Sequence, residues 1–66
     1  MKLAVNGESH EYAGPAILLE LLKAMGAAPD RVAVMVNDRI VEAKRFGETP
    51  IREGDRVEIL IFAGGG

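Results

Sequence analysis

At 66 residues the chain has room for one small domain, of a size that buries only about 60% of the surface its unfolded form exposes. It has no cysteine and a single histidine, His10, so neither disulfides nor a thiolate metal site can stiffen it and apolar packing has to hold it together. Eight Lys and Arg against ten Asp and Glu leave a formal charge of −2 with the signs interspersed, which argues against a phosphate-binding or nucleic-acid surface.

Arg39, Lys44, Arg45, Arg52 and Arg56 gather basic charge in the second half, but Asp38, Glu42, Glu48, Glu53 and Asp55 are threaded among them, as on a solvated mixed surface. The first residues carry Lys2 and then alternate, with no apolar stretch long enough for a signal peptide or a membrane span. A cytoplasmic protein without membrane or nucleic-acid partners is the expectation.

Met1 to Val5 alternates, Leu3 and Val5 on one face and Lys2 and Ala4 on the other, as a half-buried strand does. Asn6-Gly7 follows, the pair best suited to a tight hairpin turn because both positions tolerate positive φ, and Glu8 to Tyr12 reads as the returning strand. Gly14-Pro15 predicts a helix start, with Pro15 at the first helical position. From Ala16 to Met25 the residues Ile17, Leu18, Leu21, Leu22 and Met25 fall within an apolar stripe expected to face a sheet. Glu20 and Lys23 lie opposite as an i, i+3 pair, Leu19 sits at the stripe's margin, and Gly26 is placed to end the helix in a left-handed conformation.

Val32 to Val36, rich in β-branched residues and closed by the turn pair Asn37-Asp38, is the third strand. Ile40-Val41 forms a short fourth one, and Glu42 to Pro50 reads as irregular chain anchored by Phe46 and Ile51. Glu53-Gly54-Asp55 supplies another turn, and Val57 to Phe62 is the last strand, leading directly into Ala63-Gly64-Gly65-Gly66. Hairpin, helix, strand, short strand and final strand describe an α+β chain of the β-grasp (ubiquitin-like) class: a mixed sheet of four to five strands with one main helix across one face. The first and last strands are expected to be parallel neighbours. The division expected is a β-grasp domain over 1–62 and a flexible glycine tail over 63–66.

Three glycines remove every side chain from around a terminal carboxylate, so that group can enter a slot closed to bulkier ends. The tail therefore reads as a reactive handle, the alternative being a frayed end without a role. Such a carboxylate, with a reference pKa of about 3.3 to 3.7, is ionised at neutral pH and needs activation before it can react as an acyl donor. The chain offers no machinery for that step: no cysteine, no phosphate loop, and no acid-base cluster about His10, which reads as a hairpin surface residue. Another enzyme is expected to act on the carboxylate while the folded body is recognised. If Val57, Ile59 and Ile61 face the helix, Leu60 and Phe62 lie on the open face beside the tail, where Met35, opposite in parity to Val32, Val34 and Val36, joins them as a docking patch.

Lys2 to Glu8, the segment Val32 to Val41 containing Val36-Asn37-Asp38-Arg39-Ile40-Val41, and Thr49 to Ile59 with its Gly54-Asp55-Arg56-Val57-Glu58-Ile59, running on through Phe62 to Gly66, together resemble ThiS, the ubiquitin-like sulfur carriers of thiamine biosynthesis. The resemblance implies a carrier that is a co-substrate and no enzyme, with no permanently bound cofactor. It implies that a ThiF-like E1 adenylyltransferase uses ATP to adenylate the Gly66 carboxylate, that sulfur from a persulfide donor such as a cysteine desulfurase replaces AMP, and that thiazole synthase, ThiG, takes sulfur from the resulting thiocarboxylate. Phe46, where many members carry tryptophan, and Met35, where a charged residue is common, depart from the pattern at packing and docking positions. A MoaD-type carrier serving molybdopterin synthesis, and a non-covalent β-grasp interaction module, stand as alternatives.

Overall fold

In a computed structural model that describes residues 1–62, the strands are β1 (Lys2–Val5), β2 (Glu8–Glu11), β3 (Val32–Val36), β4 (Arg39–Val41) and β5 (Arg56–Ile61), with one α-helix, α1 (Leu18–Ala24). Short 3-10 turns cover Pro29–Arg31 and Ala43–Glu48. The five strands form one sheet in the order β2-β1-β5-β3-β4. β1 and β5 pair in parallel at its centre, and every other neighbour is antiparallel. The helix lies across one face only, which is the β-grasp arrangement.

The turns follow from local chemistry. Asn6 and Gly7 take φ of 51° and 83°, and Asn37 and Asp38 take 50° and 69°, so both hairpins use consecutive left-handed residues, as the strand twist demands. The Asn37 side chain fastens the second hairpin to β5: its Oδ1 accepts from the Arg56 amide at 2.9 Å and its Nδ2 donates to Asp55 at 3.0 Å. Gly26, at φ 77°, closes α1 with the amide of Ala27 donating to the Leu22 carbonyl and its own amide to that of Lys23. Lys23 and Glu20 pair on the outer face at 3.6 Å.

The core is formed by Leu3, Val5, Tyr12, Leu18, Leu21, Leu22, Val32, Val34, Phe46, Ile51, Val57 and Ile59. Phe46 and Ile51, anchors of the irregular stretch, are 1% and 2% exposed, and Leu19 packs half-buried against this core.

Three expectations are corrected. The helix begins at Leu18 rather than at Pro15. Ile17 is extended, at φ −130° and ψ 135°, and bridges Pro50. Around it the Ile51 amide donates to the Ala16 carbonyl, and the Leu18 amide, a group that has no partner inside a helix, donates to the Thr49 carbonyl. Pro15 stands outside the helix, its carbonyl accepting the Tyr12 hydroxyl at 2.7 Å. Met25, expected in the buried stripe, is the helix's C-cap and is 38% exposed. Ile61 has the parity of buried Val57 and Ile59 yet is 73% exposed. Its neighbour across the pairing, Val32, is buried, so the helix-side cover reaches β3 at this end but not the exit of β5.

Candidate functional site

The last strand is held by its first half. Val57 and Ile59 point into the core, and β3 pairs along the whole of β5, from Val36 opposite Val57 to Val32 opposite Ile61. One step further the Phe62 amide donates to the Arg31 carbonyl at 2.9 Å. On the other side β1 contributes only Ala4 and Val5, opposite Arg56 and Val57, before the Asn6-Gly7 turn carries the chain away. The Asn6 side chain extends that pairing by one bond, its Oδ1 accepting the Ile59 amide at 2.7 Å.

Leu60, Ile61 and Phe62, still bonded on the β3 side but beyond the reach of β1, are three consecutive exposed apolar residues, 63%, 73% and 58% accessible. Leu60 lies on the face away from the helix, opposite Ala33. Met35, half-buried, is on the same face opposite Glu58, as a diagonal neighbour of Leu60 at about 7–8 Å. The structure therefore places Leu60 and Met35 on one surface, with Phe62 continuing it along the chain. It adds Ile40, opposite Met35 on β4 and exposed, a residue that sequence reading assigned to a strand without a role. The available signal was parity: a hairpin closed at Asn37-Asp38 sets Ile40 against Met35. Ile61 also joins the exposed run, on the opposite face from Leu60.

Ala63, Gly64, Gly65 and Gly66, on which the expected tail chemistry falls, lie outside the described residues. The remaining polar features lie elsewhere. His10, half-exposed, is on outer strand β2, its Nε2 3.8 Å from a Glu8 carboxylate oxygen. Burial, with a smaller contribution from the charge of Glu20, raises the Tyr12 phenol above its ordinary pKa. Arg56 is held further above the ordinary arginine value by its 2.8 Å bond to Asp38 and the charge of that carboxylate, at the start of β5. A cleft lined by Asn37, Arg39, Thr49, Pro50, Arg52 and Asp55 sits at that same end of the sheet, opposite the exit. Among the described residues no group of three His, Cys, Asp or Glu side chains is placed to hold a metal ion. No helix among them is long and apolar enough to cross a membrane. Among the described residues the arrangement is a braced strand that ends in an exposed apolar surface.

A family model described as the ThiS family matches residues 3–66. Over all 66 residues the chain is 38% identical to a thiazole synthase of Magnetococcus marinus and 35% identical to one of Paramagnetospirillum magneticum, spanning 20% of the length of each. It is 30% identical to the uncharacterized protein ycf40 of Porphyra purpurea, of which it covers 93%. Among solved structures it is similar to the crystal structure of a thiamine biosynthesis protein (ThiS) from Geobacter metallireducens, with a TM-score of 0.83 and 38% identity, both chains covered in full.

Proposed function

This chain belongs to the ThiS family, and from that premise we propose that it is a sulfur carrier of thiamine biosynthesis acting through the carboxylate of Gly66. The carboxylate oxygen attacks the α-phosphorus of ATP in a ThiF-like E1 adenylyltransferase, and pyrophosphate leaves. The terminal sulfur of a persulfide, supplied by a donor such as a cysteine desulfurase, then attacks the acyl carbon and AMP leaves. A thiol cleaves the remaining sulfur–sulfur bond, giving a disulfide and the free thiocarboxylate. Thiazole synthase takes sulfur from that thiocarboxylate. The carrier is consumed and regenerated, a co-substrate rather than a catalyst, and ATP is bound by the partner.

The observation that carries this reading is the placement of exposed Leu60, Ile61 and Phe62 one residue before the glycines, at the end of a strand whose first half is locked in the core. Two further points support it: the family match runs through Gly66, and the relatives named thiazole synthase match this chain over about one-fifth of their length. Four extended residues reach at most about 13 to 14 Å. That lets Gly66 enter an active-site channel while the body stays outside, docked through Leu60, Phe62 and Met35.

The test is reconstituted thiazole formation with the adenylyltransferase, the sulfur donor and thiazole synthase. Deleting Gly66 is expected to abolish sulfur transfer while the circular dichroism spectrum and unfolding midpoint stay unchanged. Undiminished transfer by the shortened chain would refute the assignment of the reacting atom. Activity with molybdopterin synthase components and none with thiazole synthase would turn the reading to the MoaD type.

A further inference from the structure

Bonding along β5 alternates. In the pairing with β3, the amides of Leu60 and Phe62 point towards β3, whereas the amide and carbonyl of Ile61 and the carbonyl of Ile59 point to the other side. That side is where β1 would continue, but β1 ends at Val5 and turns away at Asn6-Gly7. Asn6 satisfies the Ile59 amide, and among the described residues no backbone group meets the Ile61 amide, the Ile61 carbonyl or the Ile59 carbonyl. The result is a notch inside the sheet: a short strand edge next to the chain's exit, flanked on both faces by exposed Leu60 and Ile61. Natural sheet edges are commonly protected by charge, proline or a bulge, and the run Leu60-Ile61-Phe62 carries no charge and no proline.

We infer that this notch is a docking edge for an extended backbone segment of thiazole synthase, which pairs with β5 at Ile59 and Ile61 as an added strand and aligns the following glycines. The inference rests on the carrier reading above and names how its partner grips the exit. Backbone pairing supplies direction and register, and the apolar side chains on either face supply contact area. A second copy of this chain fits less well. Two such edges set antiparallel about Ile61 share little beyond the Ile61 amide and carbonyl, far less than a stable interface buries.

Amide hydrogen exchange on the carrier, free and bound to thiazole synthase, tests this directly. Exchange at Ile61 is expected to slow at least roughly tenfold in the complex, whereas Leu60 and Phe62, bonded within the sheet, change less. Ile61→Pro removes only the outward amide, which an edge position tolerates, and Ile61→Ala trims the side chain while keeping that amide. Ile61→Pro is expected to bind thiazole synthase roughly five- to tenfold more weakly than Ile61→Ala. Unchanged exchange at Leu60 and Phe62 in the free proline variant verifies its fold; if that fails, the exchange result on the unaltered chain decides. Binding of the unaltered chain with no protection at Ile61 overturns the edge pairing and leaves the carrier reading standing. Protection that appears in the free protein and grows with its concentration assigns the edge to a second copy and overturns the proposal. Absence of any binding contradicts the carrier reading and the proposal with it.

Discussion

Asn6 holds two positions in the fold at once, and substitutions there separate them. Its backbone is left-handed at φ 51°, and its side-chain oxygen accepts the Ile59 amide at 2.7 Å, where β1 no longer reaches β5. Asn6→Asp keeps the acceptor and tolerates the conformation, so it is expected to stay within about 0.5 kcal/mol of the parent. Asn6→Gly keeps the conformation but leaves the amide of Ile59, a residue only 9% exposed, without its acceptor. The loss is about 1–2 kcal/mol, the lower part of the range for an unsatisfied donor because water reaches the turn. Asn6→Ala adds the left-handed penalty for a residue with Cβ, giving about 2–4 kcal/mol. A domain of this length holds roughly 3–10 kcal/mol in all, so the alanine variant approaches unfolding. Urea titration followed by circular dichroism reads the series: at a slope of about 1 kcal/mol/M, the glycine variant's midpoint falls by about 1–2 M. Exchange at the Ile59 amide should accelerate in the glycine and alanine variants but not in the aspartate one. A glycine variant as stable as the parent, with Ile59 still protected, would refute the role given to the side chain.

Phe46→Ala empties the most voluminous fully buried side chain and should cost about 3–5 kcal/mol, enough to lose most of the cooperative transition in thermal melts. Gly14→Ala places a Cβ 2.5 Å from the Tyr12 hydroxyl and 2.8 Å from its ring, and should cost about 1–3 kcal/mol by urea titration although the site itself is exposed. Because Tyr12's pKa is raised in the fold, the protonated phenol favours the native state. That contribution is complete below the unfolded value near 10 and declines as pH rises through it towards the folded value. Tyr12→Phe should flatten this alkaline decline in unfolding midpoints measured across the range, at a constant loss of about 0.5–1.5 kcal/mol for the bond to the Pro15 carbonyl.

What could be read from the sequence was what neighbours along the chain determine. Asn6-Gly7, Asn37-Asp38 and Gly26 announce their turns because positive φ is a property of those residues themselves. The alternation of β3 and the first half of β5 announces their buried faces, and parity alone put Leu60 and Met35 on one surface. The helix start was hidden because Ile17 is held extended by Pro50, more than thirty positions away, against a Gly-Pro signal that suits an earlier start. Gly14, which reads as a helix marker, is instead where the Tyr12 ring lies close against the backbone, a contact no local pattern reports. The exposure of Ile61 depends on what packs over that end of the sheet, where Val32 beside it is covered, and the pairing of Asn6 with Ile59 joins residues at opposite ends of the chain. Both of those hidden features lie at the candidate site, where the strand outruns its cover.

Whether Gly66 carries the sulfur is read out by C-terminal fragment mass spectrometry after incubation with the adenylyltransferase, ATP and a persulfide donor. Trypsin cuts after Arg56, and the fragment Val57 to Gly66 contains no methionine, so oxidation at Met1, Met25 or Met35 cannot imitate the exchange of one oxygen for sulfur. This fragment is expected to gain the mass difference between sulfur and oxygen, located at Gly66 and dependent on ATP. A fragment of unchanged mass, under conditions that convert another ThiS protein, would contradict the assignment of sulfur to Gly66.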